Sequence, residues 1–208
     1  MRMIPVYLAV EDEVSEAVLK RLLKQPDRGY AIGTVFGRSG YGYLRHTIPG
    51  WNRPARGVPF IILTDLDRYP CPSALIQDWI PRHQHPNLLL RVAVREVESW
   101  ILADRENLAR FLRVNPTVVP AEPDSLSDAK AALVRTADRS RSREIRRRLV
   151  PKRGSTAKQG PDYNACLIEF VASGWAPSVA RRTSPSLSRT MDRLQSFVPQ
   201  WDRRPEDD

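Results

Sequence analysis

FIILTDLDRYP, residues 60–70, is an apolar run that ends in two aspartates two positions apart. Phe60 to Leu63 reads as a buried β-strand, bounded by Pro59 before it and by Arg68-Tyr69-Pro70 after it. Side chains alternate faces along a strand, so Asp65 and Asp67 are expected to point the same way, roughly 6–7 Å apart. Two carboxylates at the end of a core strand repel each other and are costly to desolvate. A divalent cation relieves both problems, and hard oxygen ligands suit Mg²⁺ or Mn²⁺. Aspartate is also common in an ordinary strand-to-loop turn, and that simpler reading stands beside the metal one.

The first strand weighs between them. Ile4 to Val10 is a second apolar, β-rich run, and it ends directly in Glu11-Asp12-Glu13. Val14, Val18, Leu19, Leu22 and Leu23 then recur at helical spacing. Asp12 suits the N-cap of that helix, and Glu13 and Glu16 fall in a first turn where the helix dipole favours acids. Glu11 stands before the helix, at the strand's end. Parallel strands share one edge with their binding crevice, so Glu11 and the Asp65/Asp67 pair should face one another across it.

A strand ending in Glu, a helix, a second strand, and a third strand ending in Asp-x-Asp together resemble the Toprim family. Its members include topoisomerases, primases and the overcoming-lysogenization-defect nucleases with their phage-defence relatives. The resemblance covers about residues 4–104 and rests on VEDEVSE (10–16) and TDLD (64–67). Asp12 stands where the family usually has glycine, and the next acid falls one position late. The resemblance implies an acid/base glutamate, Glu11, and a metal-binding pair, Asp65 and Asp67, working on phosphodiesters. It also implies further acids for a second metal. Glu98 is the candidate, just beyond the strand NLLLRVAV (87–94), with Glu96 a weaker one; charge complementarity at a helix start accounts for both equally simply. The nuclease relatives place a lysine near the scissile phosphate, which here implies Lys152 or Lys158.

Between strand two (Tyr30 to Phe36) and strand three lies GRSGYGYLRHTIPGWNRPARG (37–57), which reads as a long glycine-rich loop. Arg38, Arg45, Arg53 and Arg56 alternate there with Tyr41, Tyr43 and Trp51. Cations for phosphates and rings for unpaired bases are what a nucleic-acid contact uses. No Walker-type or GxGxxG spacing accompanies them.

Charge points to the same partner. The net charge is +9, and residues 130–158, with eleven basic against two acidic residues, hold an excess of that same size. Two helices are expected in this window, with Arg143, Arg146 and Arg147 on one face. Such a patch attracts polyanions, and 28 arginines among 33 basic residues favour two-pronged phosphate contacts. Nucleic acid is the expected partner, DNA ahead of RNA.

Composition bounds the remainder. The 208 residues fit one domain with an appendage, and no apolar run approaches a membrane span or a signal peptide. Two distant cysteines, Cys71 and Cys166, make no disulfide framework, so a reducing cytoplasm is expected. Downstream of Asp104 the pattern is helical only, broken by prolines. Tyr163 to Ala172 and Ser186 to Val198 read as helices, Trp175 and Trp201 as core or rim anchors, and RRPEDD (203–208) as a disordered end.

The expected protein is therefore a Toprim-like α/β (Rossmannoid) domain over 1–104, its mostly parallel sheet flanked by helices. A helical, basic region over 105–208 completes or covers the site. The expected activity is a Mg²⁺- or Mn²⁺-dependent nucleic-acid phosphodiesterase, with phage defence and a separate ATPase in trans implied by the resemblance. The alternatives are a non-cleaving nucleic-acid-binding or regulatory Toprim module and a nucleotide- or phosphoester-binding enzyme.

Overall fold

The computed structural model describes residues 3–27, 29–80 and 82–201, so the expectation for residues 203–208 lies outside the described residues. Four strands form the sheet: β1 (Ile4–Val10), β2 (Tyr30–Gly37), β3 (Phe60–Asp65) and β4 (Leu88–Ala93). All neighbours pair in parallel, in the order β2-β1-β3-β4. Phe60 to Asp65 are all buried, as a strand covered on both faces must be. Each large apolar side chain so buried contributes roughly 1.5–3 kcal/mol.

Helices α1 (Glu13–Leu22), α2 (Tyr41–Trp51) and α3 (Pro72–Trp79) make the three crossovers. Ile61 and Leu63 share a core with Val14, Val18 and Leu19 of α1, whereas Phe60 and Ile62 pack with Leu44, Ile48 and Trp51 of α2 and Leu75 and Trp79 of α3. Consecutive residues of β3 thus feed opposite layers. The chain leaves β1 toward β2 on one side and returns to β3 on the other, which makes the β1/β3 boundary the topological switch point.

The first helix begins where the sequence placed it. Asp12 is the N-cap and accepts the Ser15 N–H at 2.8 Å, an interaction worth about 1 kcal/mol. The glycine-rich segment differs from its expectation: residues 41–51 are helix α2, not a loop. Leu44, Ile48 and Trp51, at i, i+4 and i+7, bury one stripe against the sheet, and that packing outweighs the poor helix propensity of Gly42, Gly50 and Pro49. Loop character survives before the helix, where Gly37 and Gly40 have positive φ, and in the turns and short 3-10 segment over 52–57 that follow it.

After β4 the chain continues as α4 (Val97–Leu102), α5 (Arg105–Leu112), α6 (Ala129–Asp138), α7 (Arg143–Leu149), α8 (Tyr163–Ser173), α9 (Pro177–Ala180) and α10 (Pro185–Ser196). Residues on both sides of position 104 belong to one core, from Val6 and Leu8 through Trp100 to Phe170 and Phe197. Tyr30 of β2 donates its hydroxyl to the Leu194 carbonyl at 2.6 Å, and the Trp175 indole donates to the Trp100 carbonyl at 3.1 Å. Trp175 is a core anchor, while Trp201 is exposed. Among the described residues no helix is long and apolar enough to cross a membrane.

Candidate active site

Three adjacent strands, β1, β3 and β4, deliver acids to the same C-terminal edge. Glu11 follows β1 directly. Its Oε1 accepts the Thr64 hydroxyl and, at 2.9 Å, the Asp65 backbone N–H. The last residue of β3 is Asp65, only 7 % exposed, and its Oδ1 accepts the Val97 N–H at 2.9 Å. Glu98, in the first turn of α4, is 1 % exposed. Its Oε1 accepts the Tyr163 hydroxyl at 3.1 Å and lies 3.6 Å from Lys130 Nζ, while its Oε2 has no hydrogen-bond partner among the described residues. The three carboxylates are linked through the backbone between β3 and the start of α4.

This placement shifts their proton affinities. Burial raises Asp65 well above the usual carboxylate range, and Glu98 and Glu11 raise it further by repulsion. Burial likewise pushes Glu98 up to about 7, against the opposing pull of Lys130. Glu11 is also raised by burial, although its bonds from Thr64 and the Asp65 amide counteract this. Burial disfavours the Lys130 ammonium, but Glu98, Asp65, Glu96 and Asp12 outweigh that effect and hold it charged.

Asp67 stands differently from its expectation. The strand stops at Asp65, Leu66 turns into the core, and Asp67 adopts a left-handed backbone with φ 48°. Alternation therefore does not carry through to Asp67, and its side chain is exposed. The turn is held by Asp67 N–H donating to the Arg95 carbonyl at 3.1 Å, and by Arg95 Nη1 donating to the Asp67 carbonyl at 3.3 Å. Asp67 still belongs to the crevice electrically, because it raises Glu11.

Glu96 turns to the helical region, accepting the Lys130 N–H at the start of α6 at 2.8 Å. Glu16 is buried and paired to Lys20 at 2.7 Å and Arg38 at 2.5 Å, so Arg38 is engaged by α1. Arg45 pairs with Asp78 at 3.1 Å. Arg143 and Arg147 are exposed on α7, whereas Arg146 folds back onto the Ser140 carbonyl. Lys152 and Lys158 are exposed in the loop after α7.

Lys130 and Tyr163 are the residues that sequence reasoning missed. Lys130 is one of only five lysines in an arginine-rich chain, and it is the second residue of a helix whose N-cap is Asp128. That scarcity was the available signal. Tyr163 carried none, since its role depends on how α8 packs.

Among the described residues no three acid, imidazole or thiol groups are close enough to form a finished metal cage. The donor chemistry nonetheless suits a hard cation. Among the described residues the crevice has a buried, unpartnered Glu98 oxygen, and carboxylates whose proton affinity is raised by burial and by their mutual repulsion. Comparisons with protein-family models, with curated proteins and with solved structures find no match for this chain.

Proposed function

We propose that this chain is a Toprim-like phosphodiesterase that cuts nucleic acid, DNA ahead of RNA, with Mg²⁺ or Mn²⁺. The observation that supports this most is the convergence of Glu11, Asp65 and Glu98 at the switch-point edge of a parallel sheet, two of them buried and all three raised in proton affinity. Glu11, Asp65, Asp67 and Glu98 are the residues that would hold the cation. When bound, the cation polarises a phosphate and lowers the pKa of a water. Glu11, partly exposed and steadied by Thr64 and the Asp65 amide, is placed to accept a proton from an attacking water. Lys130 takes the charge-neutralising role that the family resemblance assigns to a lysine, because it, rather than Lys152 or Lys158, stands against the acids. The exposed arginines of α7 would retain the polyanion that an acidic crevice repels. The chain has no Walker motif, so an ATPase partner, as in phage-defence relatives, would act in trans.

Lys130 also favours a second reading. A lysine that already compensates Glu98 suits a non-cleaving Toprim module that binds nucleic acid and regulates a partner. Nicking of supercoiled plasmid with and without chelator separates the two. The nuclease reading expects metal-dependent nicking that Glu11→Gln abolishes, with fold and DNA affinity retained. Binding without nicking in any divalent metal leaves the regulatory reading.

A further inference from the structure

Away from the acid crevice, at the C-terminal end of α5, the surface holds a cavity of about 410 Å³ lined by Arg110, Arg113 and Arg141 together with Ala109, Val114, Asn115 and Pro116. Among the described residues, three arginines and no carboxylate line it. Among the described residues, none of the three arginines is in a salt bridge; Arg110 Nη1 is bonded only to the neutral Asn107 side chain, at 2.9 Å.

The cavity is built rather than incidental. Arg113 ends α5 in a left-handed conformation (φ 55°, ψ 47°), a position that glycine normally takes because a Cβ is strained there. Arg141 comes from the segment between α6 and α7. Its N–H donates to the Arg113 carbonyl at 3.2 Å, and the neighbouring Ser140 hydroxyl donates to the Leu112 carbonyl at 2.5 Å. On the far wall, Arg105 Nε fixes the Pro116 carbonyl at 2.7 Å. Backbone from two separate segments is therefore pinned so that arginines from both meet at one hollow. The helix C-terminus favours cations there by itself, which accounts for Arg110 and Arg113 but not for the tethering of Arg141.

We propose that this cavity binds a phosphate group. Arginine presents its donors as a planar fork that matches phosphate oxygens, and three arginines lining one hollow favour an anion as the complementary ligand. The volume lies within the roughly 300–1,000 Å³ of small-ligand sites, so a phosphate can enter with the sugar or base that carries it. The phosphate belongs either to a nucleic-acid backbone or to a free phosphorylated molecule. Geometry allows the first: α6 carries Lys130 at the acids in its first turn and ends at Asp138, three residues before Arg141, and its ten residues span about 15 Å. The inference stands on the cavity alone; the acid crevice can fail with this site intact, and the reverse.

The test uses the full-length chain, inorganic phosphate, and thermal unfolding at constant ionic strength with chloride as the balancing anion. Arg113→Gly removes a guanidinium and relieves the left-handed strain, so it must fold at least as well as the parent. Arg141→Gln keeps the backbone tether. Phosphate should raise the unfolding midpoint of the parent by a few degrees, and the Arg113→Gly/Arg141→Gln pair should lose most of that shift. A concurrent fall of threefold or more in affinity for a short single-stranded oligonucleotide, with phosphate competing, assigns the phosphate to a polymer backbone. Unchanged oligonucleotide affinity assigns it to a free phosphorylated molecule. No shift beyond chloride in the parent, or an equal shift in the double variant, overturns the site.

Discussion

Lys130 Nζ stands 3.6 Å from Oε1 of Glu98, joining the first turn of α6 to a carboxylate that is 1 % exposed. The pair ties the helical half of the chain to the edge of the sheet, with Tyr163 of α8 on the same oxygen. One cation of the basic window is thus turned inward onto the acids rather than outward to solvent.

Removing one partner of that pair should therefore cost more than removing both. Lys130→Met leaves Glu98 buried without its cation, and we expect a loss of about 2 kcal/mol. That is less than the roughly 3–5 kcal/mol of a fully buried broken pair, since Lys130 is a third exposed. Lys130→Met with Glu98→Gln should recover at least half of it. Denaturant titration of the four proteins measures the coupling, and strictly additive losses would show that the pair is not energetically joined.

The strands and the first acids were legible because their signals are local. β1, β3 and β4 are short apolar runs ending in charge, and Asp12 caps the helix that follows it. Helix α2 was hidden because its glycines and proline speak for a loop, while the burial of Leu44, Ile48 and Trp51 is a tertiary gain. The face taken by Asp67 was hidden because alternation holds only inside a strand, and this strand stops two residues earlier. Lys130 and Tyr163 lie 32 and 65 positions from Glu98, a separation that no local pattern spans.

Acid burial predicts a pH dependence with a definite sign. Glu98 rises from 4.5 when unfolded to about 7 when folded, so between those values the folded chain binds more protons than the unfolded one. Stability from this group is full below about pH 4.5, declines as pH rises, and is lost above about 7. The loss is on the order of 3 kcal/mol at the 1.36 kcal/mol of each pKa unit. Asp65 acts in the same direction. In chelator, the parent should lose stability relative to Glu98→Gln between pH 5 and 8. Mg²⁺ or Mn²⁺ should stabilise the parent more at pH 8 than at pH 5.5, and Asp65→Asn should blunt that gain. A gain that is pH-independent, or unchanged in Asp65→Asn, would place the cation elsewhere.

Gly37 controls the approach to Glu11 from the other side. Its φ is 99°, and a Cβ there would come within 2.0 Å of the Val10 carbonyl oxygen, one residue before Glu11. Gly37→Ala cannot be accommodated without separating the ends of β1 and β2, and the bonds from Arg38 N–H to Val10 and from Gly40 N–H to Glu11 would go with them. A cost of at least about 2 kcal/mol is expected, more than left-handed strain alone, which is roughly 1–2 kcal/mol. Gly42→Ala is the control: it lies within α2 with open space around it, and should be neutral or stabilising by up to about 1 kcal/mol. Equal unfolding midpoints for the two variants would contradict the close approach at Gly37.

The arginines of α7 should differ in what they contribute to binding. Arg143 and Arg147 are exposed one turn apart, whereas Arg146 is occupied by the Ser140 carbonyl and Arg148 by Glu169 at 2.9 Å. The first two are the pair placed to displace counterions from a polyanion. Arg143→Glu with Arg147→Glu should weaken affinity for all nucleic-acid sequences alike. It should also flatten the slope of log K against log salt by about one unit for each phosphate that is no longer neutralised. Arg146→Gln should leave the slope nearly unchanged while costing some stability through the missing bond to Ser140. The competing role for this face is to bind an acidic partner protein, such as the ATPase proposed above to act in trans. Affinities at three salt concentrations, for DNA and for RNA, decide between them. An unchanged slope with unchanged affinity in the double variant would remove α7 from the nucleic-acid path and leave it as a protein-binding face.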